Sequence, residues 1–191
     1  FSSDYVFGAG EGPYDDSQTP APLNAYGRHK LEAEQRVAEM LDDYLIVRTC
    51  NLYGYDRDGK NFVMGLLARL GVGDSIQVPL DQWGCPTLAS DLAAAVVAAV
   101  SADLRGLIHM AGPDSIDRLS FARRVAELLG FGDVSIGGVR TVELGQAARR
   151  PLHGGLVISE VVASLGQCFR GIDEGVLQVR TDMEAAADLA D

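Results

Sequence analysis

Residues 24–49 read N-A-Y-G-R-H-K-L-E-A-E-Q-R-V-A-E-M-L-D-D-Y-L-I-V-R-T, and they set the fold class. The first part predicts a helix from near Leu23–Asn24 to about Asp42, because Leu31, Val37, Ala38 and Leu41 roughly follow a helical period. Tyr44–Arg48 is a short, unbroken apolar run, the pattern of a strand buried on both faces. Helix followed by doubly buried strand is the unit of a parallel α/β sheet.

The same alternation continues on both sides. Phe1–Phe7 reads as the end of a buried strand, and Gly8–Pro22 as a loop rich in Gly, Pro and Asp. Downstream the pattern predicts helices over about Asn61–Leu70, Ser90–Val100, Ser120–Leu129 and Ser159–Leu165, with strands at Ser75–Val78 and Gly106–Met110. An acidic, Ala-rich tail is expected from Asp182. The fold class is therefore α/β: the C-terminal part of a Rossmann-like doubly wound parallel sheet, with a small α/β substrate-binding region. The expected division is 1–60 for the part of the sheet carrying the reactive residues, 61–170 mainly for substrate with interleaved sheet elements, and 171–191 as a C-terminal tail.

Composition narrows the function. Of 191 residues 47% are hydrophobic, and 27 Asp and Glu outweigh 16 Lys and Arg to give a net charge of −11. That balance argues against a general nucleic-acid or anionic-membrane binder, but not against a small anion, which answers to a local field. The longest apolar run, Leu92–Val100, is too short to span a bilayer. Three cysteines, Cys50, Cys85 and Cys168, are widely spaced and form no C-x-x-C, so a reducing, cytoplasmic setting is expected. His29, His109 and His153 lack metal-ligand spacing, so no metal is expected; His109, in an apolar strand, reads as a hydrogen-bonded core residue. Asp15-Asp16 reads as a solvated turn.

Tyr26 and Lys30 stand four apart on the predicted helix, so they share a face. An ammonium held beside a phenol favours the phenolate and draws its pKa down from about 10 toward the range where it can exchange protons. With six tyrosines and only two lysines, Lys30 and Lys60, chance supplies about 0.06 such pairs in this chain. Ser2-Ser3, at the carboxyl end of the first strand, offers a hydroxyl where open α/β sheets gather ligands.

Nine collinear stretches then carry a resemblance. They are S-S-D-Y-V-F (2–7), P-Y-D-D (13–16), P-L-N-A-Y-G-R-H-K-L-E-A-E (22–34), V-R-T-C-N-L-Y-G (47–54), N-F (61–62), D-Q-W-G-C-P-T (81–87), D-L-A (91–93), G-L-I-H-M-A-G (106–112) and R-R-P (149–151). The chain resembles the extended short-chain dehydrogenase/reductases, and within them the dTDP-4-dehydrorhamnose reductase group. The resemblance implies an NAD(P)H-dependent reductase of a nucleotide-linked 4-keto-6-deoxy sugar, using NADP(H) or NAD(H). Tyr26 would protonate the nascent alkoxide, Lys30 would lower the Tyr26 pKa and bind the nicotinamide ribose, and Ser3 would polarise the substrate carbonyl. Thr49 and Cys50 would line the nicotinamide side by backbone contacts, Asn51 would contact the sugar nucleotide, and Arg150 its diphosphate. Gln82 and Trp83 have two equal readings from the residues themselves: lining of the substrate mouth, where Gly84-Cys85-Pro86-Thr87 enforces a tight turn, or loop packing in an ordinary turn. Tyr5 stands where the related dehydratases need a Glu, which disfavours dehydration. The group also includes non-catalytic relatives, such as the regulatory β subunit of methionine adenosyltransferase, and the scaffold serves sugar-nucleotide epimerases; these are the alternatives. A homodimer of the full-length protein is compatible with the resemblance.

The group's glycine-rich phosphate-binding loop is not in these residues, and Phe1 falls directly on a strand. The expectation is that about a hundred residues of cofactor-binding sheet precede Phe1. Alone, the 191-residue chain is then expected to aggregate or to bind NADPH negligibly, through exposed strand edge and apolar helix-packing surface.

Overall fold

A hydrophobic run with no polar alternation forms a strand only where both faces are covered, and Leu45–Thr49 meets that condition as the middle strand of a parallel sheet. The computed structural model describes residues 1–8, 10–166 and 168–189. In chain order it contains β1 (Ser2–Ser3), α1 (Ala25–Met40), β2 (Leu45–Thr49), β3 (Leu52–Tyr53), α2 (Phe62–Gly71), β4 (Ile76–Pro79), β5 (Trp83–Gly84) and β6 (Thr87–Leu88). Then follow α3 (Ala89–Ser101), β7 (Gly106–His109), β8 (Ile116–Asp117), α4 (Arg118–Leu128), β9 (Ile136–Val139), α5 (Glu160–Ser164) and α6 (Ile172–Asp188).

The main sheet has the order β1-β2-β7, all parallel, with Ser3 paired to Thr49 and Arg48 to His109. β4 pairs β9 in parallel to form a second small sheet. Short pairings β3–β6 and β5–β8 knit the loops between the two. The sequence expectation of a parallel α/β architecture holds.

Several boundaries differ from expectation. The opening strand stops at Ser3, because Asp4–Val6 turns as a 3₁₀ helix capped by the Ser3 side chain. β9 lies in a stretch where the sequence pattern predicts no element. The segment expected as a tail is instead α6, whose Ile172, Val176 and Val179 are buried; residues 190–191 lie outside the described residues.

Separate hydrophobic clusters support the two ends of the molecule. One joins α2, α4, α6, β4 and β9 through Val63, Leu66, Ile76, Val125 and Val176. Another packs α3 and α5 against β2 and β7 through Val47, Ala95, Ile108 and Val162. A third, with Val6, Phe7, Tyr14, Cys50, Cys85 and Leu156, lies beneath the carboxyl ends of the main sheet.

Helix α1 is tied to the sheet differently, since Gly27 and Glu34 are its buried residues. Glu34 receives a two-pronged pair from Arg48 of β2, with Nε–Oε1 at 2.8 Å and Nη2–Oε2 at 2.6 Å, both side chains buried. Gly27 lets the helix touch the 3₁₀ turn: a Cβ there would collide with the carbonyl oxygen of Tyr5.

Candidate functional site

The site begins where β1 ends. Ser3 is extended (φ −147°, ψ 154°), and its Oγ accepts from the Tyr5 amide at 3.2 Å. The same hydroxyl donates to Asp4 Oδ1 at 3.1 Å. Asp4 is buried, and its Oδ2 accepts from the Gly155 amide at 3.3 Å. Burial is the largest influence on this carboxyl and lifts its pKa to about 6, against the pull of its hydrogen bonds.

Asn24 caps α1, its side chain accepting from Gly27 N–H at 2.9 Å, so Tyr26 falls in the first turn and Lys30 one turn later. Lys30 Nζ donates to Phe1 O at 3.0 Å and lies 5.8 Å from the centre of the Tyr26 ring. Tyr26 is 52% exposed and meets Tyr5 edge to face at 5.5 Å. Tyr26, Lys30 and Glu34 recur at every fourth position, so the buried Glu34–Arg48 pair fixes the face that carries the other two.

Tyr26 stands at the junction of two cavities. One, of about 570 Å³, is lined by Asp4, Tyr5, Asn61, Phe62, Gln82, Trp83 and Pro86, and by the cations Lys60, Arg118 and Arg150. The other, of about 510 Å³, is lined by Phe1, Ser2, Ser3, Lys30, Thr49, Cys50, Ala89 and Leu92. Tyr26, Asn51 and Leu52 border both.

In the first cavity Arg150 Nη1 donates to the Tyr5 hydroxyl at 2.8 Å. Arg118 stacks 4.3 Å from the centre of the Phe62 ring, and burial lowers its pKa from the usual guanidinium value. Gln82 is braced by Nε2 donating to Thr141 Oγ1 at 3.0 Å, while its carbonyl accepts from the Arg118 amide at 2.9 Å. Three cations in one half-apolar cavity of an acidic protein suit an anionic ligand with an organic body.

The second cavity fits the reacting end of a nicotinamide dinucleotide. Ser2 and Thr49 line it, each with a buried hydroxyl oxygen that has no hydrogen-bond partner among the described residues, and Lys30 lines it too. The Cys50 thiol is buried and donates to Cys85 O at 3.1 Å, which leaves Cys50 its backbone for such a ligand. Among the described residues there is no glycine-rich strand–turn–helix cradle for a pyrophosphate.

The structure thus brings together Ser3, Tyr26, Lys30, Thr49, Cys50 and Asn51 around one cleft, and Asn51, Gln82, Trp83 and Arg150 around the other. Asn51 adopts φ +47°, a left-handed turn that carries the chain from β2 into β3. His109 is a core residue as expected, buried, with Nδ1 3.2 Å from Tyr14 O. Asp15 is exposed and bonds Ser17 Oγ at 2.6 Å within its turn, while Asp16 accepts from Ser159 Oγ at 2.8 Å. Sequence reasoning missed Asp4, Lys60 and Arg118. Lys60 had one available signal, as the second of two lysines and directly before the N-F stretch; Arg118 had none, because only the β5–β8 pairing carries it to the cavity.

A parallel sheet with a Tyr–Lys pair from the following helix at its carboxyl end, between two clefts, is the arrangement of the short-chain dehydrogenase/reductases. Within that class the chain belongs to the family described as the RmlD substrate binding domain, whose model matches residues 1–184. It is 34% identical over 177 residues to dTDP-4-dehydrorhamnose reductase of Sinorhizobium fredii, covering 86% of this chain and 59% of that one. It is 40% identical over 131 residues to dTDP-4-keto-6-deoxy-D-glucose reductase of Streptomyces niveus, covering 68% and 45%. Among solved structures, dTDP-4-dehydrorhamnose reductase of Bacillus anthracis in complex with NADP superimposes with a TM-score of 0.87 at 32% identity, covering 95% of this chain and 64% of that one. The chain therefore covers between 45% and 64% of these relatives' lengths. UDP-N-acetylglucosamine 4-epimerase of Bacillus cereus shares the fold at 14% identity and a TM-score of 0.72.

Proposed function

We propose that these residues carry the reacting groups and the substrate side of an NADPH-dependent reductase of a nucleotide-linked 4-keto-6-deoxy sugar. The observation that carries the reading is the position of Tyr26, open to both cavities and within reach of Lys30. Residues 1–60 supply the reacting groups, and 61–170 supply most of the substrate cavity.

NADPH, when bound, supplies hydride to the substrate carbonyl carbon. Tyr26 donates a proton to the oxygen as it becomes an alkoxide, and Lys30 stabilises the phenolate left behind. Ser3 donates a hydrogen bond to the same oxygen. Thr49 and the Cys50 backbone line the nicotinamide side. Asn51, at the boundary of the cavities, meets the sugar, and Gln82 and Trp83 line its mouth. Arg150, Arg118 and Lys60 hold the diphosphate, where forked guanidinium donors match phosphate oxygens. The three free thiols accord with a cytoplasmic protein, and a homodimer of the full-length protein is part of the same proposal.

The test is Tyr26→Phe in the full-length protein, following NADPH absorbance with a dTDP-4-keto-6-deoxyhexose. Loss of about a hundredfold or more in kcat with NADPH binding retained is expected. Unchanged turnover removes Tyr26 from the chemistry. A wild-type protein that binds NADPH yet reduces no keto sugar replaces the reductase reading with a regulatory one.

A further inference from the structure

Ser3 has one hydroxyl hydrogen, and its Oγ lies 3.1 Å from Asp4 Oδ1, which as a carboxylate oxygen can only accept it. Its oxygen already accepts from the Tyr5 amide at 3.2 Å. An ionised carboxylate only accepts hydrogen bonds, so while Asp4 is charged the Ser3 hydrogen stays with it and none is left for a substrate carbonyl. A neutral Asp4 reverses the bond. Its O–H donates to Ser3 Oγ, Oδ2 continues to accept from the Gly155 amide, and the Ser3 hydrogen is released toward the cleft that Ser3 lines. A serine oxygen with two acceptor sites and one hydrogen satisfies all three contacts at once.

We propose that Asp4 is a positioning residue that works in its neutral form, turning the Ser3 hydroxyl from a donor to Asp4 into a donor to the substrate carbonyl. The inference rests on the reductase reading above. Its physical basis is the setting of the carboxyl. Tyr14, Cys50 and Cys85 surround it in the interior, and Tyr5, Tyr26 and Arg150 border the cavity it lines. The cations bordering that cavity are Lys60, Arg118 and Arg150, and their contacts lie elsewhere: Lys60 donates to Asp58, Arg118 stacks on Phe62 and Arg150 donates to Tyr5. Desolvation therefore outweighs the hydrogen bonds to the charged form, and the neutral acid persists to mildly acidic pH. Asparagine is the permanent version of that state: its amide nitrogen donates to Ser3 Oγ, and its carbonyl accepts from Gly155.

The experiment measures kcat/KM for keto-sugar reduction from pH 5 to 8 in the full-length parent, Asp4→Asn, Ser3→Ala and the double variant. The ratio of Asp4→Asn to parent is expected to climb about tenfold per pH unit above pH 6, as the neutral fraction of Asp4 in the parent falls. On the Ser3→Ala background, Asp4→Asn should change the rate by less than about twofold at every pH. A ratio that does not vary with pH, or an equal effect with and without Ser3, overturns the inference. The same proteins give a readout free of turnover: the Ser3 ¹³Cβ shift should titrate with the Asp4 carboxyl in the parent and stay level in Asp4→Asn. A parent that reduces no keto sugar while Ser3 follows Asp4 defeats the reductase reading alone. A static Ser3 signal, or an Asp4 carboxyl that titrates near 4, defeats the inference whatever the turnover.

Discussion

Arg150 and Asp4 illustrate what single residues contribute at the two sides of Tyr5. Arg150 spends one donor on the Tyr5 hydroxyl and keeps others for the cavity. Arg150→Lys preserves the charge but not the fork, so KM for the sugar nucleotide should rise about tenfold, with kcat and the NADPH KM nearly unchanged. Steady-state kinetics with each substrate varied in turn checks this, and a fall in kcat alone would move Arg150 from binding to chemistry. Asp4 makes a prediction about stability. Its folded-state pKa is raised to about 6 from an ordinary 3.8, so between those values the folded protein holds a proton that the unfolded chain releases. Stability must then fall as pH rises through that window and stay reduced above it. Asp4→Asn lacks the slope, so its stability relative to the parent should improve by about 2 kcal/mol from pH 4 to pH 7, read from urea unfolding at each pH. At this scale Tyr26, Lys30 and Ser3 were legible because spacing along a helix or at a strand end is a local property. Asp4 was not: its character comes from burial and from Gly155, 151 residues away.

Among the elements, α1 is joined to the sheet by a buried ion pair. Its outer surface is polar, and the Glu34–Arg48 pair is its charged anchor to the sheet. Glu34→Ala would leave the Arg48 guanidinium buried without its carboxylate, which should destabilise the protein by about 3–5 kcal/mol in chemical denaturation. Replacing both partners, as Glu34→Leu with Arg48→Met, should cost much less, since no buried charge is stranded. If the double variant is as unstable as the single one, shape rather than charge holds α1 in place. Strong periodicity made α1 and β2 readable from sequence. β9 was hidden because two of its four residues, Gly137 and Gly138, are glycines. Their open Cα positions are filled by the side chains of Gln77, Leu80 and Leu119. α6 carried a readable pattern in Ile172, Val176, Val179 and Met183, but Gly175 interrupts it, and that glycine lies against the Tyr53 hydroxyl.

Across the whole molecule, the two cavities draw on different hydrophobic clusters and meet only at Tyr26, Asn51 and Leu52. Phe62 and Phe121, both in the cavity that Gln82 and Arg150 line, pack with the cluster that α6 completes through Val176. Leu92 and the β2 backbone, in the other cavity, rest on the cluster around Val47 and Ile108. A cavity made in one cluster should therefore disturb one cleft more than the other. Val176→Ala removes two buried methyl groups from a fully enclosed position and should destabilise by about 1–3 kcal/mol. Below its melting temperature, the full-length variant should show a raised KM for the sugar nucleotide through looser placement of Phe62 and Arg118, with the NADPH KM unchanged. Ile108→Ala should reverse the pattern, at about 2–5 kcal/mol, by loosening β2 under Thr49 and Cys50. Equal changes in both constants for both variants would mean that the clusters act as one core, and that the clefts share their support as well as their boundary.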